Sequence, residues 1–124
     1  MKDLNVQTLP AEKFSDPFVT HKGEKRASVA LSNAQTLWFN TGTLCNIECA
    51  NCYILSSPKN DALVYITAAE VRDYLDQLEQ RKWGVREIAF TGGEPFMNPE
   101  MIEMTRASLE RGYDVLILTN AMRP

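Results

Sequence analysis

The chain has 124 residues, 16 acidic against 13 basic side chains, one histidine and three cysteines, with a formal net charge of −3. Apolar residues at 44% and charged residues at 23% describe an ordinary globular chain and exclude a disordered, collagenous or low-complexity one. A pI near 5.1 gives no global electrostatic footing for nucleic acid or an anionic membrane. No apolar run approaches the ~20 residues needed to span a bilayer. The start, Met1-Lys2-Asp3-Leu4-Asn5, lacks the apolar core of a secretory signal, so the expected compartment is the cytoplasm.

Residues 1–34 read as an irregular leader, interrupted by Pro10, Pro17 and Gly23, with a mixed-charge patch at Lys22, Glu24, Lys25 and Arg26 and a short strand expected at 27–31. Lys25 and Arg26 read as solvated. Regular patterning starts at Gln35. Thr36-Leu37-Trp38-Phe39-Asn40 predicts a buried strand stopped by Gly42, with Trp38 and Phe39 as strand core. A cysteine segment follows it, then a polar loop over 56–61 in which Pro58 breaks any helix begun near Cys52. Thr67 with Glu70 three residues on forms a capping box, and Val71, Tyr74, Leu75 and Leu78 form one apolar stripe, so a helix is predicted down to Gly84. Residues 86–91 predict a second strand whose consecutive Ile88, Ala89 and Phe90 suit a sheet covered on both faces. Asn98-Pro99 predicts a second helix, with Asn98 as cap, Met101, Ile102, Thr105, Ser108 and Leu109 on its apolar face, and Gly112 as its stop. Met97, Met101 and Met104 read as helix packing rather than metal ligands. Val115-Leu116-Ile117-Leu118 predicts a third strand, ended by Thr119-Asn120.

Strands alternating with helices of this length imply an α/β fold of parallel β/α units. In such a sheet the segments that follow the strands emerge at one carboxyl edge. The cysteine segment, Gly92-Gly93-Glu94-Pro95 and Thr119-Asn120 each follow a strand. They are therefore expected to meet.

Cys45-Asn46-Ile47-Glu48-Cys49-Ala50-Asn51-Cys52 has the spacing C-x3-C-x2-C. Thiolates at this spacing in a loop can converge on a compact metal centre. A four-iron cluster takes one ligand per iron, so three cysteines leave one iron open to a small ligand. A structural zinc would fill all four positions. His21, the only histidine, lies in the leader at no zinc-like spacing from the cysteines, and inert free thiols are the remaining reading. Gly92 and Gly93 permit close backbone approach and positive φ, Glu94 adds a carboxylate, and Pro95 stiffens the exit. A plain strand-to-helix turn would use the same residues.

Over residues 35–121 the sequence resembles the radical S-adenosylmethionine (radical SAM) superfamily in three motifs taken in order: the C-x3-C-x2-C loop, Gly92-Gly93-Glu94-Pro95, and Thr119-Asn120. The resemblance implies an oxidoreductase-type enzyme with a [4Fe–4S] cluster on Cys45, Cys49 and Cys52 and SAM on the open iron. It implies one-electron cleavage of SAM to methionine and a 5′-deoxyadenosyl radical, which abstracts hydrogen from a small-molecule or peptide substrate. A one-electron donor such as flavodoxin or ferredoxin is implied as partner, with no nucleic acid or membrane. Gly92, Gly93, Glu94 and Pro95 would receive the SAM amino group, and Asn120 would orient SAM or substrate. The family usually places an aromatic residue against adenine just before the third cysteine. Here that position is Asn51, with Tyr53 two residues on. Ala121 stands where the family often has glycine. The implied fold is the first half of a partial TIM barrel, with residues 35–124 as the front of the core and the whole sequence a truncated or split piece of it. The alternative reading is a non-catalytic metal-binding module, with structural zinc or a degenerate iron–sulfur site, acting through a partner.

Overall fold

The computed structural model describes residues 15–122. The Met1–Asn5 start, Pro10 and the terminal Arg123-Pro124 lie outside the described residues. The chain divides into two compact units, Met1–Leu31 and Ser32–Pro124.

In the first unit Asp16 accepts hydrogen bonds from the Phe18 and Val19 amides at 2.7 and 2.9 Å. These two donors hold its carboxyl below the usual range. Val19 and Lys25 form a single antiparallel bridge around a turn at Thr20–Glu24, closed by the Thr20 amide donating to the Glu24 carbonyl. The strand expected at 27–31 is not formed. Val29 is almost wholly exposed, and β-propensity without a partner ladder does not make a strand. Arg26 is not merely solvated, because its Nε donates to the Asp16 carbonyl at 2.8 Å.

The second unit runs β1 (Thr36–Asn40), α1 (Ala68–Arg81), β2 (Glu87–Thr91), a 3-10 turn at Pro95–Met97, α2 (Met101–Glu110) and β3 (Asp114–Ile117). The sheet order is β1-β2-β3 and both pairings are parallel. Parallel neighbours need crossover connections, and α1 and α2 supply them. The chain is thus an α/β protein with an open three-stranded sheet.

The capping box forms as expected: the Glu70 amide donates to the Thr67 hydroxyl oxygen at 3.2 Å, and the Thr67 amide donates to the Glu70 carboxylate at 2.8 Å. Helix α1 ends at Arg81 with Lys82 in the left-handed region, short of Gly84. Val71, Leu75 and Leu78 are buried, but Tyr74 sits at the margin, edge-on to Phe39. The core joins these residues to Phe39, Ile88, Phe90, Met101 and Met104. β2 is central, which is why Ile88, Ala89 and Phe90 are all fully buried.

Two packing expectations are corrected. Trp38 is not core: it is 46% exposed. Its register partners are Ala89 and, beyond it, Leu116, so this row lies on the sheet face opposite the Phe39–Phe90–Ile117 row that packs with the helices. Helix α2 carries apolar residues on two faces, and the sheet takes Met101, Met104, Ala107 and Ser108. Ile102 and Leu109 stay more than half exposed and line an open groove with Phe96, Thr105 and Ile117. Asn98 does not cap α2 directly, since the helix begins at Met101 with Glu100 as N-cap residue. Asn98 is instead a buried clamp: its Nδ2 donates to the Ile66 carbonyl at 2.8 Å and the Thr41 carbonyl at 3.3 Å, and its Oδ1 accepts from the Glu100 amide at 2.9 Å. Glu100 in turn accepts from the Ala68 amide at 2.6 Å, so it caps α1 rather than its own helix.

Candidate functional site

The segments leaving β1, β2 and β3 meet at the carboxyl edge of the sheet and are joined by hydrogen bonds. After β1 the Gly93 amide donates to the Gly42 carbonyl at 2.9 Å and the Glu94 amide to the Leu44 carbonyl at 3.0 Å. The β2 turn is therefore laid directly against the start of the cysteine loop. This contact explains both glycines. Gly92 has φ +144°, and a Cβ there would come within 2.6 Å of the Gly42 carbonyl oxygen. A Cβ on Gly93 would overlap the Leu44 carbonyl and stand 2.8 Å from that of Thr43. The close backbone approach expected from Gly-Gly is realised against the chain's own main chain.

Glu94 is 1% exposed and works as a fastener. Its Oε1 accepts from the Phe96 amide at 3.0 Å and the Thr119 hydroxyl at 2.8 Å, while Oε2 accepts from the Asn120 amide at 2.8 Å. A buried carboxylate is tolerated when donors replace its lost hydration, as these three do. Pro95 is buried and opens the 3-10 turn. The Asn120 side chain continues the network: Nδ2 donates to Asn46 Oδ1 at 2.8 Å and lies 3.8 Å from Cys45 Sγ. A continuous path of contacts thus runs from the β2 turn through the end of β3 to the first cysteine. Ala121 adopts φ +57°, the left-handed region where glycine is more comfortable.

The cysteine loop is held at both ends. Leu44 and Ser57 form a parallel bridge, and the Cys45 amide donates to the Ser57 carbonyl at 3.1 Å. No helix begins at Cys52. Two turns replace it, closed by the Cys52 amide on the Cys49 carbonyl at 3.2 Å and the Leu55 amide on the Cys52 carbonyl at 3.1 Å. Cys45 is buried, Cys52 half-buried and Cys49 exposed, and all three are free thiols. Asn51 is exposed and Tyr53 is 82% exposed, so both project from the loop with surface available.

Leu55 takes φ +54°, and the turn brings the Ser56 amide to 3.4 Å from Cys52 Sγ. The Ser56 and Ile54 amides, in that order, hold the Cys52 thiol below its ordinary range, opposed by desolvation. A donor-lowered thiol suits iron, which binds the thiolate. Among the described residues no three His, Cys, Asp or Glu side chains lie within reach of a single metal ion. A four-iron cluster distributes its protein ligands over separate irons. Three free thiols on one anchored loop fit that donor set.

Sequence reasoning placed the three motifs together but missed three participants. Asn46 and Ser56 carry no signal beyond being polar residues inside or beside the cysteine span, and Asn98 is legible only as a helix cap.

These features define a parallel α/β protein with a three-cysteine loop at the carboxyl edge of its sheet. The sequence pattern of the Radical SAM superfamily matches residues 39–124, and the chain belongs to that superfamily. Similar curated proteins include the antilisterial bacteriocin subtilosin biosynthesis protein AlbA of Bacillus subtilis (strain 168), 34% identical over 76 residues, covering 61% of this chain and 16% of AlbA. They also include GTP 3′,8-cyclase of Rhodococcus opacus (strain B4), 33% identical over 81 residues, covering 63% of this chain and 23% of the relative. A probable GTP 3′,8-cyclase of Saccharolobus solfataricus is 33% identical over 86 residues, covering 61% of this chain and 24% of the relative. The matched region thus spans less than a quarter of each relative's length. No helix among the described residues is long and apolar enough to cross a membrane.

Proposed function

We propose that this chain is the cluster- and SAM-binding front of a radical SAM enzyme, working in the cytoplasm. The observation that carries the reading is the hydrogen-bonded joining of all three strand ends through Glu94 and Asn120 to Cys45. Cys45, Cys49 and Cys52 would each ligate one iron of a [4Fe–4S] cluster, leaving the fourth for SAM. When bound, the cluster supplies the electron that cleaves SAM to methionine and a 5′-deoxyadenosyl radical.

The chain's own residues would bind and orient. The Glu94 carboxylate is occupied by Phe96, Thr119 and Asn120, so its part is to fix the Gly92–Pro95 turn, and main-chain carbonyls of that turn would receive the SAM amino group. Tyr53 and Asn51 are free on the loop to cover and hydrogen-bond adenine. Asn120 orients Asn46 and Cys45 from the end of β3.

The half-exposed row of Trp38 and Leu116 about the buried Ala89 would face the interior of a partial TIM barrel. The outer edge of β3 and the groove beside Ile102 and Leu109 would take its next β/α unit. An electron donor of flavodoxin or ferredoxin type is required. The substrate is a small molecule or a peptide, in keeping with relatives named for a bacteriocin's biosynthesis and for cyclising GTP.

Anaerobic reconstitution should load about four irons per chain and, after reduction with SAM, release 5′-deoxyadenosine. A loaded, reduced protein that forms none would overturn the proposal. Stoichiometric zinc with no iron–sulfur absorbance would establish the metal-module alternative instead.

A further inference from the structure

Ser56 lies outside the C-x3-C-x2-C span, yet it reaches the Cys52 sulfur. It is 3% exposed, and its amide donates to Cys52 Sγ at 3.4 Å. Among the described residues its hydroxyl is the buried side-chain polar atom with no hydrogen-bond partner. Buried hydroxyls are ordinarily satisfied, and leaving one unpaired is destabilising. The turn itself needs no hydroxyl, because it is closed by main-chain bonds from Leu55 to Cys52 and from Cys45 to Ser57. Alanine would serve the turn as well. The hydroxyl makes no full hydrogen bond, yet it lies near enough to Cys52 to act on that thiol, whose sulfur already accepts from the Ser56 amide. A donor so placed points to a partner that becomes a stronger acceptor when the site is filled. An iron-bound thiolate is such an acceptor.

The other two cysteines differ. Cys45 already has a donor, since Asn120 Nδ2 donates to its Sγ at 3.8 Å as well as to Asn46 Oδ1 at 2.8 Å, and Cys49 is exposed, where water supplies donors.

We infer that the Ser56 hydroxyl donates a hydrogen bond to the Cys52 sulfur when that sulfur ligates iron, making Ser56 a positioning residue that tunes the cluster's reduction potential. The inference rests on the cluster reading above. Reduction adds negative charge to the cluster, and a hydrogen bond to a ligating sulfur stabilises that charge. Removing the hydroxyl therefore makes reduction harder.

The test compares the full chain with Ser56→Ala and Ser56→Thr after anaerobic iron–sulfur reconstitution. Iron is counted, and the one-electron midpoint is followed by spectroscopic redox titration. Ser56→Ala should load iron as the unmodified chain does and titrate lower, with reduction about tenfold less favourable, equivalent to about 59 mV. Ser56→Thr, which keeps the hydroxyl, should retain the original midpoint. An unchanged midpoint in loaded Ser56→Ala would overturn the inference and leave the cluster reading intact. If Ser56→Ala fails to load, a loaded Ser56→Thr at the original midpoint upholds the hydroxyl's role, whereas failure of both variants overturns it. Absence of any iron–sulfur absorbance in the unmodified chain would instead remove the cluster reading itself.

Discussion

The loops that leave β1 and β2 do opposite things with the same sheet edge. The β2 turn is fastened to its neighbours: Glu94 and Pro95 are buried, three donors hold the carboxylate, and the glycines leave no room for a Cβ. The β1 loop is pinned at Leu44 and Ser57 but presents Cys49, Asn51 and Tyr53 to the outside. One loop is a wall and the other is the surface it supports. Rigidity and exposure are thus assigned to separate segments of one sheet edge.

The contrast is tested most severely by Gly93→Ala. The added methyl meets main chain at Leu44 and Thr43, which cannot rotate away, so destabilisation of about 3 kcal/mol is expected in denaturant unfolding. A loss under a third of that would show the two loops to be loosely joined. Glu94→Gln comes next. It places an amide NH2 against either the Asn120 N–H or the Phe96 and Thr119 donors, for about 2 kcal/mol, with a neutral result contradicting the fastener role.

Thr67→Ala, remote from both loops, gives a reference of about 1 kcal/mol for a lost cap. The same box has a pH signature. The Thr67 amide, then its hydroxyl, hold the Glu70 carboxyl below the usual range. A depressed folded-state pKa stabilises at pH values above the unfolded one and loses that contribution as pH falls through the folded value. The stability gap between the unmodified chain and Glu70→Ala should therefore close only in acid; a gap that widened there would reverse the assignment.

Smallest in stability is Cys49→Ala, within about 0.5 kcal/mol for the metal-free chain because the side chain is exposed. Iron loading of the same variant should fall to background. Retained iron would contradict its assignment as a ligand.

The sequence carried the element order, because the stripe of Val71, Leu75 and Leu78, the capping box and the apolar strands are local patterns that each segment expresses alone. It also carried the meeting of the three motifs, since parallel β/α connectivity leaves the segments after the strands at one edge. Packing was less legible where a segment offers more than one solution. Helix α2 has two apolar faces, and only the position of the sheet selects Met104 and Ala107 over Ile102 and Leu109. Trp38 and Phe39 are equally apolar in sequence, and the strand's alternation sends just one of them to the helices.

By itself, then, the sequence determined the family's three motifs, the α/β class and the identity of the candidate ligands, since these depend on residue type and spacing. The tertiary structure decided what the polar residues between them do. Glu94 became a buried fastener, Asn120 the bridge to Asn46 and Cys45, and Ser56 the donor beside Cys52. Hydrogen-bond partners distant in the chain are set by where the backbone brings them, at separations such as the 74 residues between Asn46 and Asn120. No local pattern encodes that pairing.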